Sequence, residues 1–169
     1  MPVGAFARYW LGIAFEKSGN YAAAQTTLEE GLAIGSASNS RRAIAHIGSM
    51  LGRLHYTMGN YATAHTYYLE SLKRLYDLSD RWGEALVLNG LVLVLMARGQ
   101  SEQAVCLSGA VAALRNTLRA SLPPSEREEY ERHIAGLQDM LSPATFTAAR
   151  AQGERMTREQ TIAYALATT

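Results

Sequence analysis

The side chains able to do chemistry are few, and their spacing does not assemble a reaction centre. Four histidines occur, at His46, His55, His65 and His133. His46 and His55 are nine positions apart, which puts them near opposite edges of one helix and not in the i, i+4 pairing of a metal site. Structural or surface roles are expected for all four, and no metal ligand set is predicted. The single cysteine, Cys106, sits between Val105 and Leu107 and reads as a buried, inert thiol. Glu126, Glu128, Glu129 and Glu131 alternate with Arg127 and Arg132, the pattern of a solvated helix face more than of paired catalytic carboxylates. No glycine-rich phosphate loop and no H-E-x-x-H pattern is present. Tyr9-Trp10 and Tyr67-Tyr68 are sequence neighbours that a helix points in different directions, so neither makes a platform for bases. No catalytic residue and no cofactor is predicted, and the chain reads as non-enzymatic.

Composition narrows the remaining classes. The 169 residues are 48% apolar, enough for a sizeable core, and carry 16 basic against 15 acidic side chains. A net charge of +1 without basic blocks lacks the footprint of a direct nucleic-acid or anionic-membrane binder. One cysteine excludes a disulfide framework and fits a reducing compartment. The apolar run from Ala85 to Ala97 is interrupted by Asn89 and Gly90 and is too short to span a bilayer. No basic-then-apolar leader pattern follows Met1, so a cytoplasmic location is expected. Prolines fall only at positions 2, 123, 124 and 143, which leaves the stretch between Val3 and Leu122 free to be helical.

The elements that position these side chains are announced by a repeat. A shift of 40 residues aligns Leu11 with Leu51 and Leu91, Gly19 with Gly59 and Gly99, and Ala24 with Ala64 and Ala104. It also carries Gly12 onto Gly52, Asn20-Tyr21 onto Asn60-Tyr61, and Leu32 onto Leu72. Each unit reads as two antiparallel helices. Gly19, Gly59 and Gly99 stop the first helix, and Asn20 and Asn60 cap the second. Ser40 and Asp80 are expected N-caps of the next units. Small residues at Gly12, Ala24, Gly31, Gly52, Ala64 and Ser71 should let the backbones approach. Phe15, Tyr21, Leu28, His55, Tyr61 and Tyr68 are expected to pack around those contacts.

This pattern, L-G then an aromatic, G-x-Y, an alanine, a large residue and a small one, resembles the tetratricopeptide repeat (TPR) across residues 5 to 115. The usual unit is about 34 residues long, so 40 implies longer helices or turns. Arg8, Gly48 and Leu88 stand where the TPR pattern usually has a large aromatic. Three stretches are similar to the MalT-like TPR region of large bacterial LuxR-type and SARP-type regulators: Ser79 to Leu86, Leu122 to Arg132, and Phe146 to Gly153. The resemblance implies an all-α fold, an antiparallel helix-pair superhelical array of three units over residues 1–121, with a helical C-terminal cap over 122–169. In that cap Pro123-Pro124 marks the boundary, with apolar Tyr130, Ile134, Leu137 and Leu141 at helical spacing behind it. Ser142-Pro143 opens a second helix that Gly153 should stop, and Thr157 to Gln160 forms a capping box for a third.

The resemblance also implies a non-catalytic protein–protein interaction module, the sensing or docking part of a bacterial transcriptional or signalling regulator. First helices of such arrays line a concave groove. Here that places Tyr9, Ile13 and Glu16, then His46, Ser49, Arg53 and Tyr56, then Asn89 and Leu93 as binding residues for a protein or peptide. The same side chains are apolar enough to serve intramolecular packing instead. Chaperone-type TPRs clamp a terminal carboxylate with lysine and asparagine where this chain has Tyr9 and Ile13, so an acidic C-terminus is not the expected ligand. The first helix is apolar around most of its circumference. Phe6 and Trp10 therefore make a candidate self-association surface, either for a homo-oligomer or for a neighbouring part of a longer array.

Overall fold

The structure, a computed structural model, describes residues 2–118 and 124–168, with side chains from 124 to 130 excluded. The boundary signal at Pro123 and the expected side-chain roles of Glu126, Glu128, Glu129 and Tyr130 lie outside the described residues. All secondary structure among the described residues is helical: α1 (Val3–Lys17), α2 (Tyr21–Ala37), α3 (Arg41–Thr57), α4 (Tyr61–Asp77), α5 (Arg81–Ala97), α6 (Ser101–Leu118), α7 (Pro124–Met140), α8 (Pro143–Glu154) and α9 (Arg158–Leu166). No helix among them is long and apolar enough to cross a membrane. Two compact units divide the chain, Met1–Gly83 and Glu84–Thr169.

The turns explain the repeat. Gly19, Gly59 and Gly99 adopt positive φ of 78°, 79° and 74°, as a helix-terminating glycine should. Asn20 N–H donates to the Phe15 carbonyl at 2.9 Å and Gly19 N–H to the Glu16 carbonyl at 3.0 Å, the paired bonds of a Schellman motif. The same pair recurs at each of the next four turns: Ser40 to Gly35, Asn60 to His55, Asp80 to Leu75 and Gln100 to Leu95. Between the glycines, Asn39 and Ser79 take φ of 50° and 52°. The left-handed position thus recurs every 20 residues, at 19, 39, 59, 79 and 99. The sequence displays only the 40-residue period because every second turn uses a residue other than glycine.

The residue ending each Schellman motif also begins the next helix. Asn20 Oδ1 accepts from Ala23 N–H at 3.2 Å, Ser40 Oγ from Ala43 N–H at 3.4 Å, and Asp80 Oδ1 from Gly83 N–H at 3.0 Å. Asn60 departs from the expectation. It occupies the N-cap with nearly the backbone angles of Asn20, yet its side chain makes no capping bond.

In the first unit, α1 packs on α2, α2 on α3 and α3 on α4, with α1 also touching α3. A Cβ on Gly12 would lie 2.6 Å from Leu28, and one on Gly52 would lie 2.9 Å from Tyr68, so both glycines are needed for close helix approach. At the neighbouring contact the two pairs differ. Arg8 covers Gly31 in the first pair, whereas Gly48 faces Ser71 in the second. Leu28, Ile47, Leu51, Leu54, Leu72 and Leu75 are fully enclosed; each such side chain contributes about 1.5–3 kcal/mol relative to exposure. Tyr21 and Tyr61 were expected in this packing but are each 37% exposed. As the first helical residues after a turn they stand at the end of the pair, where no second helix can enclose them.

In the second unit α6 is central, crossing α8 and touching α7 and α9. The α6–α8 crossing is backbone on backbone. A Cβ on Gly153 would overlap the Cys106 carbonyl oxygen, and one on Gly109 would overlap the Arg150 carbonyl oxygen. Gly153 is therefore not the expected helix stop: α8 continues to Glu154, with Arg155 as its C-cap, and the glycine exists for the crossing. Ser142 caps α8 and the Thr157–Gln160 box caps α9, as the sequence indicates. Leu137 is the fully buried anchor of α7.

Candidate functional site

Tyr9, Ile13 and Glu16 follow one another on one face of α1, and His46, Ser49, Arg53 and Tyr56 on one face of α3. An ion pair between Glu16 Oε2 and Arg53 Nη2 joins the two helices. The Glu16 side chain is largely enclosed while Arg53 remains accessible, and the Arg53 Nε is buried without a hydrogen-bond partner. Burial raises the Tyr9 hydroxyl above its ordinary pKa, against the opposing effect of the Arg53 charge. Beneath them lies Tyr68 of α4. Burial raises its pKa strongly; Arg53 opposes this, while Glu16 and Tyr56 add to it. Those couplings tie Tyr9, Glu16, Arg53, Tyr56 and Tyr68 into one electrostatic cluster. Sequence reasoning treated Tyr68 only as core filler, although its place across from Gly52 would bring it under Tyr56 and Arg53.

Some of this face is already committed. Tyr9 and Ile13 pack against the core of their own unit. The Ser49 hydroxyl donates to the His46 carbonyl at 2.7 Å, not to the imidazole. His46 Nε2 lies 3.0 Å from Asp80 Oδ2, with Arg42 at 3.7 Å from the same oxygen. Ser49, His46 and Asp80 thus form no nucleophile–base–carboxylate relay. Asn89 and Leu93 stand on α5 in the second unit, each half-buried. Among the described residues no group of three or more histidine, cysteine or acidic side chains could hold a metal ion.

A second feature covers the outer side of α1. Phe6 and Trp10 are 50% and 54% exposed, with Val3 beside them almost fully so. Trp10 meets the ring of Phe6 at 6.1 Å and that of Tyr9 at 5.4 Å, both edge-on, which holds the indole in place without making a stacking surface.

The second unit contains two sites that the sequence did not announce. Glu84, in the first turn of α5, is fully buried and receives hydrogen bonds from Arg158 of α9 at 3.0 and 2.6 Å. The only local signals were an acid at a helix start and an arginine inside a capping box. The other site is a recess of about 210 Å³ between α7 and α8, lined by Glu131, Ile134, Ala135, Gln138, Phe146 and Arg150. Cys106 is enclosed at the α6–α8 crossing; burial pushes its thiol pKa up, and a hydrogen bond with Tyr164 opposes this. No family model, curated protein or solved structure matches the chain.

Proposed function

We propose that this chain is a non-catalytic interaction module of the TPR type, in which three helix pairs form a superhelical array that docks a protein or peptide. The α1/α3 face of the first unit is its principal contact surface. The observation that carries this reading is the Glu16–Arg53 pair. It spans two first helices of successive pairs and sits among Tyr9, Tyr56 and Tyr68, with one buried Arg53 donor left over. Tyrosine and arginine supply large, well-positioned contacts at interfaces, and a spare N–H suits the carbonyl of a bound backbone. The turn that recurs every 20 residues supports the repeat assignment. With that assignment comes the family context, a docking segment of a bacterial signalling or transcriptional regulator.

The test is partner capture by the wild-type chain, Arg53→Ala and Tyr56→Ala, each checked for native helicity by circular dichroism. Both substitutions should weaken binding of the captured partner by about tenfold or more, as central interface residues do. Retention of the same partner at wild-type strength by both folded variants would reject the face.

A second reading rests on the exposed Val3, Phe6 and Trp10, whose apolar surface could bury itself against another copy of α1. Sedimentation over a range of concentrations decides between the two. Self-association abolished by Trp10→Glu supports an oligomerisation element, whereas a monomer at all concentrations rejects it.

A further inference from the structure

We infer that the recess between α7 and α8 is a binding site for a free apolar α-amino acid in its zwitterionic form. Size sets the first bound. About 210 Å³ is several times the roughly 30 Å³ share of one liquid water, but below the ~300–1,000 Å³ of pockets that take drug-sized ligands. A single small metabolite fits; a nucleotide does not.

The lining sets the chemistry. Arg150 and Phe146 are four residues apart on α8, so they share one helical face, and Glu131, Ile134, Ala135 and Gln138 share one on α7. Arg150 Nε bonds Glu154 at 3.1 Å, but its Nη1 is buried without any hydrogen-bond partner. An unpaired buried donor is costly, and a carboxylate is the group that best satisfies a guanidinium. Glu131 lines the same recess with a negative charge. A plain anion would meet that carboxylate unfavourably, and a plain cation would meet Arg150. A molecule carrying both a carboxylate and an ammonium satisfies each, while Ile134, Ala135 and Phe146 offer an apolar wall to its side chain. Gln138 adds an amide able to donate or accept. None of this depends on the α1/α3 face, and loss of one site leaves the other standing.

The experiment follows amide chemical shifts of the whole chain during titration with L-leucine up to about 10 mM, where even a millimolar site fills. Two truncated probes are 4-methylpentanoate, which lacks the ammonium, and isopentylamine, which lacks the carboxylate. L-leucine should shift amides around Phe146 and Arg150, and each truncated probe should bind about tenfold more weakly, the loss of one charge-assisted contact. Arg150→Gln should abolish the response. Ala135→Phe, at an exposed position on the lining, should block the recess while leaving the helices intact. No L-leucine response overturns the proposal, as does equal binding of either truncated probe or a wild-type response in Arg150→Gln or Ala135→Phe.

Discussion

The buried carboxylate of Glu84 and the guanidinium of Arg158, separated by 74 positions in the chain, form a two-pronged hydrogen-bonded pair that ties the start of α5 to the start of α9. Both oxygens of the acid are engaged, which offsets the cost of removing its charge from water. Removing only the cation leaves that charge stranded. Arg158→Met should therefore destabilise the fold by about 3 kcal/mol, whereas Glu84→Leu with Arg158→Met should recover most of the loss. Urea unfolding of the two variants distinguishes this from simple loss of packing, which the double substitution would deepen.

The recurring left-handed turn makes an opposed pair of predictions. Gly19 has a φ of 78° and open space where a Cβ would go, so Gly19→Ala should cost about 1 kcal/mol for conformational reasons alone. Ser79 already carries that strain at a φ of 52°, and Ser79→Gly should gain roughly 0.5–1 kcal/mol. Thermal melts of both should move in opposite directions. A stabilised Gly19→Ala would mean the turn is not the structural unit.

Glycines at helix crossings should behave differently. A Cβ at Gly12 presses on the movable tip of Leu28, whereas a Cβ at Gly153 collides with the fixed carbonyl of Cys106. Gly12→Ala is expected to cost about 1–3 kcal/mol, as overpacking does, and Gly153→Ala more than that because two backbones must separate. Equal unfolding midpoints for the two variants would contradict the backbone crossing of α6 and α8.

Asp80 should make stability depend on acidity. Burial pushes its carboxyl pKa up, but the Gly83 N–H bond, His46 and Arg42 outweigh that effect and hold it below the usual carboxylate range. The folded state then favours ionised Asp80. Its stabilising contribution is present above the unfolded-chain pKa near 3.9 and is lost as pH falls through the lower folded-state value. Asp80→Asn should cost about 1–2 kcal/mol at neutral pH, and the gap from wild type should close in strong acid. A gap that stays constant from neutral pH to pH ~2 would show that the charge contributes nothing.

The helix pairs were legible in the sequence because glycine at positions 19, 59 and 99 advertises a backbone conformation. Asn39 and Ser79 hold the same conformation without a glycine to mark it. Ser40 and Asp80 were recognisable as caps because the chemistry is local. Gly153 was misread because a helix-ending glycine and a close-contact glycine look alike until the partner helix is known. Helical spacing alone puts Tyr9, Ile13 and Glu16 on one face of α1, and His46, Ser49, Arg53 and Tyr56 on one face of α3. The pairing of Glu16 with Arg53 was not legible in that way, and neither was Glu84 with Arg158, because long-range partners leave no trace in local spacing.

Because the last residue of each Schellman motif is also the first cap of the following helix, the turns between α1 and α6 contain no slack. Inserting or deleting one amino acid there would rotate everything downstream by about 100° about its axis and turn the oily stripe toward water. Natural variants of this chain should accordingly differ in length by whole duplicated hairpins, and gaps at the tight corners should be rare.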